Sequence, residues 1–481
     1  VIRVLIISEP DGSLADALLK SGVSALVCVT QSDAHLRTAT GLVSGSAIVL
    51  PGHIDIDIPE IKAQLLKAYP LIDRWVGRKQ SISTTLELML EYTTALIQIV
   101  GNHLPRFAVL ETGAPHHLFS YCLDVALKYL DIPVYYLYGN AFDGRCLVVK
   151  GNEKTTCIKV SDYSAQAVID DYIDQVQCNA TYIPEDSSKS LAPFLHNWRP
   201  YAIYLYLKQV AAKHYGWLKS APSDSRISTI SLRLPYVGLM ELMGILNAHR
   251  QYRRLMDSSG AFQASRIQAD DVVYVGHMLP EATSFPECPD YPGEIDVLID
   301  LKNRFPDAKI FYREHPAIAL YAEFGHIHFQ GLHKCPSFYR QLSRLGIDVI
   351  APGMHISKIR ERGCLFATKT GRVAVENSVL GIPTLLYGFP FYGRNLPRAF
   401  HVSQLAAKLS VQDIKARAAK IADPVEAVRT HLVDMFSGSI ENPGIGLGSD
   451  EGVRPRFEAN LVHLVNLLGA ECAASQQTQW G

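Results

Sequence analysis

This sequence of 481 residues lacks the short signatures that place many enzymes at a glance. No GxGxxG follows its first apolar run and no GxxxxGK[ST] occurs, so dinucleotide oxidoreductases and P-loop enzymes both lose support. A GxSxG nucleophile elbow is also missing. The nine cysteines are scattered and contain no CxxC pair, which reads as reduced thiols and not as a disulfide framework or a zinc site. Neither sign of charge is in excess: 46 Lys+Arg against 47 Asp+Glu disfavours a nucleic-acid partner. No stretch nears the ~18 uninterrupted apolar residues of a membrane span. The opening "VIRVLIISEPDG" has no signal-peptide anatomy and reads as a first buried strand. These absences imply a soluble, cytoplasmic protein.

What is present is an ordinary globular balance, 48% hydrophobic and 19% charged, in a chain long enough for two cores. Residues 1–160 alternate strands ("VIRVLIIS", "SALVCVT", "SAIVLPG", "FAVLET", "IPVYYLYG") with helices ("SLADALLKSG", "STTLELMLEYTTALIQIVGNHL", "HLFSYCLDVALKYLD"). Near-continuous apolar strands separated by helices predict a parallel sheet covered on both faces. Residues 161–270 read as a helical bridge with Ser/Pro-containing connections. The alternation restarts at "DDVVYVGHMLP" and fills 271–400, and 401–481 reads as helices packing back across the lobes. The expected fold is two doubly wound, Rossmann-like α/β domains with a cleft between them.

In such sheets ligands bind outside the carboxyl ends of the strands, which selects four loops. "ATKTGRVAVEN" places Thr368, Lys369, Thr370 and Gly371 between a strand and a helix. Hydroxyls, bare backbone and the unpaired amides of a helix start suit a phosphate. Glu376, further along, suits ribose hydroxyls; an ordinary Thr-capped helix is the plainer alternative. "FYREHPA" ends a strand with Arg313, Glu314, His315 and Pro316, leaving an imidazole that could stabilise a departing phosphate. "GHMLPEATSFP" adds His277, Pro280, Glu281 and Thr283. "ETGAPHHLFSYCLD" in the first domain carries Glu111, His116, His117 and Asp124, any of which could act as general base toward an acceptor. No third ligand at metal spacing accompanies the paired histidines, so no metal is expected.

Taken together, "PEATSFP", "FYREHP" and "TKTGRVAVENSVLGIPTLLYGFPFYG" resemble the bacterial capsule and surface-polysaccharide biosynthesis proteins, which include CMP-Kdo-dependent transferases of two-lobed GT-B architecture. The family's His-Pro element matches His315-Pro316, its Ser/Thr-rich turn Thr368 and Thr370, its helix glutamate Glu376, its Gly-x-Pro Gly381 and Pro383, and its closing tyrosine Tyr392. The likeness covers about 115–145 and 273–393. It departs at Leu279, where Gln is common, and at Arg372 and Ala374 in the turn.

The resemblance implies a glycosyltransferase that moves a sugar from a CMP-activated acidic donor of the Kdo or nonulosonic type to a surface glycan. It implies no cofactor and no divalent cation, since a single phosphate could be met by His315, the threonine hydroxyls and the backbone at Gly371. A UDP-, GDP- or CDP-sugar transferase, an epimerase and a silent nucleotide-sugar- or glycan-binding scaffold are the alternatives. Lipid-linked acceptors and the basic-apolar segments "LNAHRQYRRLMD" and "RWVGRK" would also suit peripheral contact with the inner membrane, although a solvated helix face is the simpler reading.

Overall fold

A computed structural model describes residues 3–7, 25–28, 55–69, 71–72, 81–103, 105–110, 115, 118–139, 145–151, 157–178, 247, 264–277, 285–315, 336–350, 354–390, 392–393, 395–441 and 453–478. The strand "SAIVLPG", the helix "SLADALLKSG" and most of the expected bridge lie outside the described residues. The chain divides into two compact units, one within Val1–Ile169 and Leu432–Gly481, the other within Asp170–Ser223 and Leu234–His431.

The first unit opens with β1 (Arg3–Ile7) and β2 (Ala25–Cys28), followed by α1 (Ile58–Leu66), α2 (Ile82–His103), β3 (Phe107–Leu110), α3 (Leu118–Tyr129) and β4 (Val134–Gly139). β2, β1, β3 and β4 lie side by side in parallel, as near-continuous apolar strands require. The far edge departs from the all-parallel expectation. β5 (Arg145–Lys150) turns back antiparallel on β4, and β6 (Cys157–Ile158) pairs with β5. Only a few residues separate β4 from β5, too few for the crossover that a parallel partner needs. α4 (Gln166–Gln177) then carries the chain across the boundary at Ile169/Asp170.

In the second unit β7 (Val272–Val275), α5 (Glu294–Arg304), β8 (Ile310–Arg313), α6 (Pro336–Arg344), β9 (Asp348–Ile350), α7 (Ile356–Arg360), β10 (Leu365–Thr368), α8 (Val373–Val379), β11 (Thr384–Leu386) and β12 (Ala399–His401) alternate regularly. All six strands are parallel, in the order β9-β8-β7-β10-β11-β12. Numbered within the unit this is 3-2-1-4-5-6, the doubly wound order whose direction reverses between β7 and β10.

Period-2 alternation sends Val272, Tyr274, Ile310 and Tyr312 to one face, against Leu298 and Leu301 of α5 and Phe338 and Leu342 of α6. Val273, Val275, Phe311 and Phe366 face the other way, against Ile359 of α7 and Val373 of α8. Both faces are covered, so the sheet is closed to water except at its ends.

The tail reads differently from the expectation. "HVSQLAAKLS" is not helical: it continues β12 and makes a short 3-10 turn. α9 (Val411–Ala419) starts only at Val411, where Ser410 caps it reciprocally with Asp413. α10 (Pro424–Phe436) crosses back over the boundary at His431/Leu432. β13 (Ile440–Glu441) then pairs antiparallel with β5, and α11 (Val453–Thr478) covers a face of the first sheet. Phe457, Leu461, Leu464, Val465 and Leu468 of α11 share a core with Phe107, Val109, Tyr135, Leu137 and Val148. The last helix thus belongs to the first unit.

Candidate functional site

Where the strand order reverses, α5 and α8, which follow β7 and β10, pack on opposite faces of the sheet, the position at which doubly wound sheets bind ligands. Carrying the strand registers two residues past the strand ends sets Thr370, His277 and His315 level with one another beyond β10, β7 and β8. The imidazole that reaches the threonine turn is that of His277. Its Nε2 lies 2.9 Å from Thr368 Oγ1, and the Thr370 N–H donates to the same nitrogen at 3.2 Å. A ring nitrogen that accepts an amide proton has none of its own, so the neutral ring carries its proton on Nδ1.

The turn itself is self-satisfied. The Gly371 N–H donates to Thr368 Oγ1 at 3.3 Å, and the Tyr392 hydroxyl donates to the Gly371 carbonyl at 2.9 Å. Two amides expected to receive phosphate therefore already have partners on the chain. Gly371 is needed because a Cβ there would stand 2.7 Å from Thr368 Oγ1 and 3.4 Å from the His277 ring. Thr368, Lys369, Thr370 and Tyr392 are all buried. Burial pushes the Tyr392 hydroxyl far up, with Tyr172 and Glu287 adding to it, so it stays a donor.

His315 follows the next strand over, half-buried, and its backbone N–H donates to Glu314 Oε1 at 3.1 Å. Adjacent strands stand ~4.8 Å apart, so its backbone starts roughly 10 Å from that of Thr370, with His277 between them. The Glu314 carboxylate, itself buried, also accepts from the hydroxyls of Tyr312 at 2.9 Å and Tyr339 at 3.2 Å. Arg313 reaches the Met354 carbonyl at 3.4 Å, and Lys369 Nζ donates to the Pro292 carbonyl at 2.7 Å. On α8, Glu376 holds Arg360 by one oxygen at 2.5 Å, and the same guanidinium donates to Asn377.

In the first unit Asp124 lies inside α3's packing face, 1% exposed, with the Tyr136 hydroxyl on Oδ1 and Lys128 Nζ on Oδ2. Both carboxylate oxygens are thus occupied. Glu111, His116, His117, Pro280, Glu281, Thr283 and Pro316 lie outside the described residues. Among the described residues no group of three or more His, Cys, Asp or Glu is placed to hold a metal ion, and no helix is long and apolar enough to cross a membrane.

Sequence reasoning missed Glu294. It is the first residue of α5, 2% exposed, and its Oε1 accepts the His277 N–H at 3.1 Å. A signal was available: Glu294 falls on the same helical stripe as Leu298, Leu301 and Phe305, a charge on a face that is otherwise apolar.

No protein-family model matches the sequence, and no curated protein matches it. Among solved structures the chain is similar to a beta Kdo 2,7 transferase, KpsC of Thermosulfurimonas dismutans, at 19% identity over 39% of this chain and 61% of that one, with a TM-score of 0.22. It aligns with a UDP-GlcNAc 2-epimerase from Neisseria meningitidis at 12% identity over 90% and 99%, with a TM-score of 0.21. A glycosyltransferase from Rickettsia africae aligns at 10% identity over 98% of both chains, with a TM-score of 0.21. The chain spans about three-fifths of the length of the Kdo transferase it matches, 61%. At such TM-scores these likenesses bear on neither fold nor activity, which rest on the strand order and the side chains of this chain.

Proposed function

We propose that the second unit binds a nucleotide-activated sugar and that the protein is a glycosyltransferase, with a CMP-activated acidic sugar as donor and a surface glycan as acceptor. The observation that carries this reading is the meeting of His277 with Thr368 and Thr370 at the point where a 3-2-1-4-5-6 sheet reverses. Polar side chains buried at a sheet's carboxyl edge cost stability unless they serve a ligand or one another. Here they serve one another through bonds that an anion can replace at little loss.

In this reading the donor phosphate meets the hydroxyls of Thr368 and Thr370 and the imidazoles of His277 and His315. As the glycosidic bond to phosphate breaks, charge accumulates on the phosphate oxygens; the Thr368 hydroxyl and the Thr370 amide turn to it from the His277 ring, which becomes a donor itself once Nε2 takes up a proton. Glu376, oriented by Arg360 through one oxygen, accepts from ribose hydroxyls. The acceptor binds the first unit, where Glu111, His116 or His117, after β3, takes the proton of the attacking hydroxyl. Asp124 has no part in that step, since its oxygens are filled by Tyr136 and Lys128.

The test is to add CMP, UDP and GDP separately to the purified protein and follow thermal unfolding, then supply the matching sugar nucleotides and follow hydrolysis and transfer. Stabilisation by CMP alone, lost in His277→Asn and weakened in His315→Ala, is the expected result. Stabilisation by UDP with sugar isomerisation would move the protein to the epimerases. Nucleotide binding without turnover, unchanged in both variants, would leave a binding scaffold.

A further inference from the structure

Two charged side chains of the second unit are as deeply buried as its core, and both are tied to one short stretch at the start of α5. Glu294, 2% exposed, accepts the His277 N–H, and Lys369, 0% exposed, donates to the carbonyl of Pro292. His277 follows β7 and Lys369 follows β10, the two strands that flank the reversal. A single helix start therefore grips both loops of the candidate site from behind.

Burying an ammonium and a carboxylate is costly, and repayment normally comes from a direct ion pair. Among the described residues these two make none with each other. Both act on one neighbour: the Cys288 thiol is pushed up to about 12, by burial first, with Lys369 pulling it down and Glu294 pushing it up. Each charge spends its best hydrogen bond on backbone: Glu294 on the amide of His277, Lys369 on a carbonyl two residues before Glu294.

We infer that Glu294 and Lys369 are positioning residues, which hold the His277 ring and the Thr368–Thr370 turn at the separation an anion requires. The inference rests on the nucleotide-binding reading of this site. Lys369 thereby acts on a ligand through the turn and not by touching it. Removing the Glu294 acceptor leaves a buried N–H unpaired on the residue that bears the imidazole. A displacement of a few tenths of an ångström there is enough to weaken the bonds from Thr368 and Thr370 to the ring.

The experiment uses the full chain with ¹⁵N-labelled histidine, the His277 signal being assigned by its loss in His277→Gln, and CMP as the probe. In the wild type the His277 ring is expected as the Nδ1–H tautomer, with Nε2 unprotonated. In Glu294→Ala and in Lys369→Met the signal is expected to move toward mixed tautomers, with CMP affinity falling by about tenfold or more. Glu294→Gln keeps an oxygen acceptor in place and is expected to restore both.

Folded Glu294→Ala and Lys369→Met proteins with the wild-type signal and affinity would overturn the inference. If Glu294→Ala does not fold, Lys369→Met decides, an unchanged His277 signal there being enough to reject it. Should CMP fail to bind the wild type, the nucleotide reading falls, while the imidazole signal still reports whether the two charges position His277.

Discussion

The two sheets of this protein are built from the same apolar strands but end differently. In the second unit the carboxyl edge collects His277, Arg313, Glu314, Thr368, Lys369 and Thr370, all buried, around a strand reversal. In the first unit the described sheet runs out into antiparallel β5, β6 and β13, and the buried charge on its helical layer, Asp124, is matched locally by Tyr136 and Lys128. A buried charge whose partners are side chains next to it stabilises packing. Glu294 and Lys369 instead bond to backbone of one connection, between β7 and α5, and Lys369 thereby ties the loop after β10 to it.

That contrast can be broken most forcefully in the first unit. Leu464→Ala removes a fully buried side chain of α11 from the core shared with Phe107 and Val148 and is expected to cost about 3 kcal/mol. Urea unfolding followed by fluorescence measures it. CMP stabilisation of the second unit should persist in the folded variant; its disappearance would mean the two cores are not separate.

A smaller but more pointed effect is expected from Gly388→Ala. A Cβ there would lie 2.8 Å from the Glu287 carbonyl oxygen and 2.8 Å from the Thr370 methyl. The carbonyl is backbone and cannot yield, so the turn must, at a cost of about 2 kcal/mol. Unlike Leu464→Ala, this variant should also lose its response to CMP, and an intact response would separate the turn from ligand binding.

The least effect belongs to the cap of α9, remote from the site. Hydrogen bonds from the Ser410 backbone N–H and hydroxyl hold the Asp413 carboxyl below its ordinary range. A carboxyl whose pKa is lowered on folding contributes stability above its unfolded value, and that contribution is lost as pH falls through the folded one. Ser410→Ala should therefore destabilise the protein slightly at neutral pH, by the size of one helix cap, and progressively less in acid. Equal losses at both ends of a pH series of melting curves would show that Asp413 plays no part.

Much of the architecture was legible because strands such as "DVVYV" and "FAVL" are apolar throughout and the helices between them repeat at 3.6 residues. The antiparallel return of β5 was not, since its buried middle, Cys146 to Val149, is as apolar as its parallel neighbours and only the short connection betrays its direction. The four loops were legible as strand ends, but not which imidazole meets the threonines. His277 and Thr368 stand 91 positions apart, and only the strand order makes them neighbours. The conspicuous His-Pro dipeptide drew attention to His315, which the same order sets one strand further off. Glu294 was hidden for another reason: an acid in the first turn of a helix is ordinary there, and its inward position shows only against Leu298 and Leu301.

The return of α11 to the first sheet has a consequence for biosynthesis. Phe107, Val109 and Tyr135 leave the ribosome about 300 residues before the helix that covers them, a wait of roughly 15–60 s at ordinary elongation rates. The inserted second unit, whose strands are consecutive in the chain, can close in that interval. The earlier-made half keeps that apolar sheet face uncovered until α11 has been made.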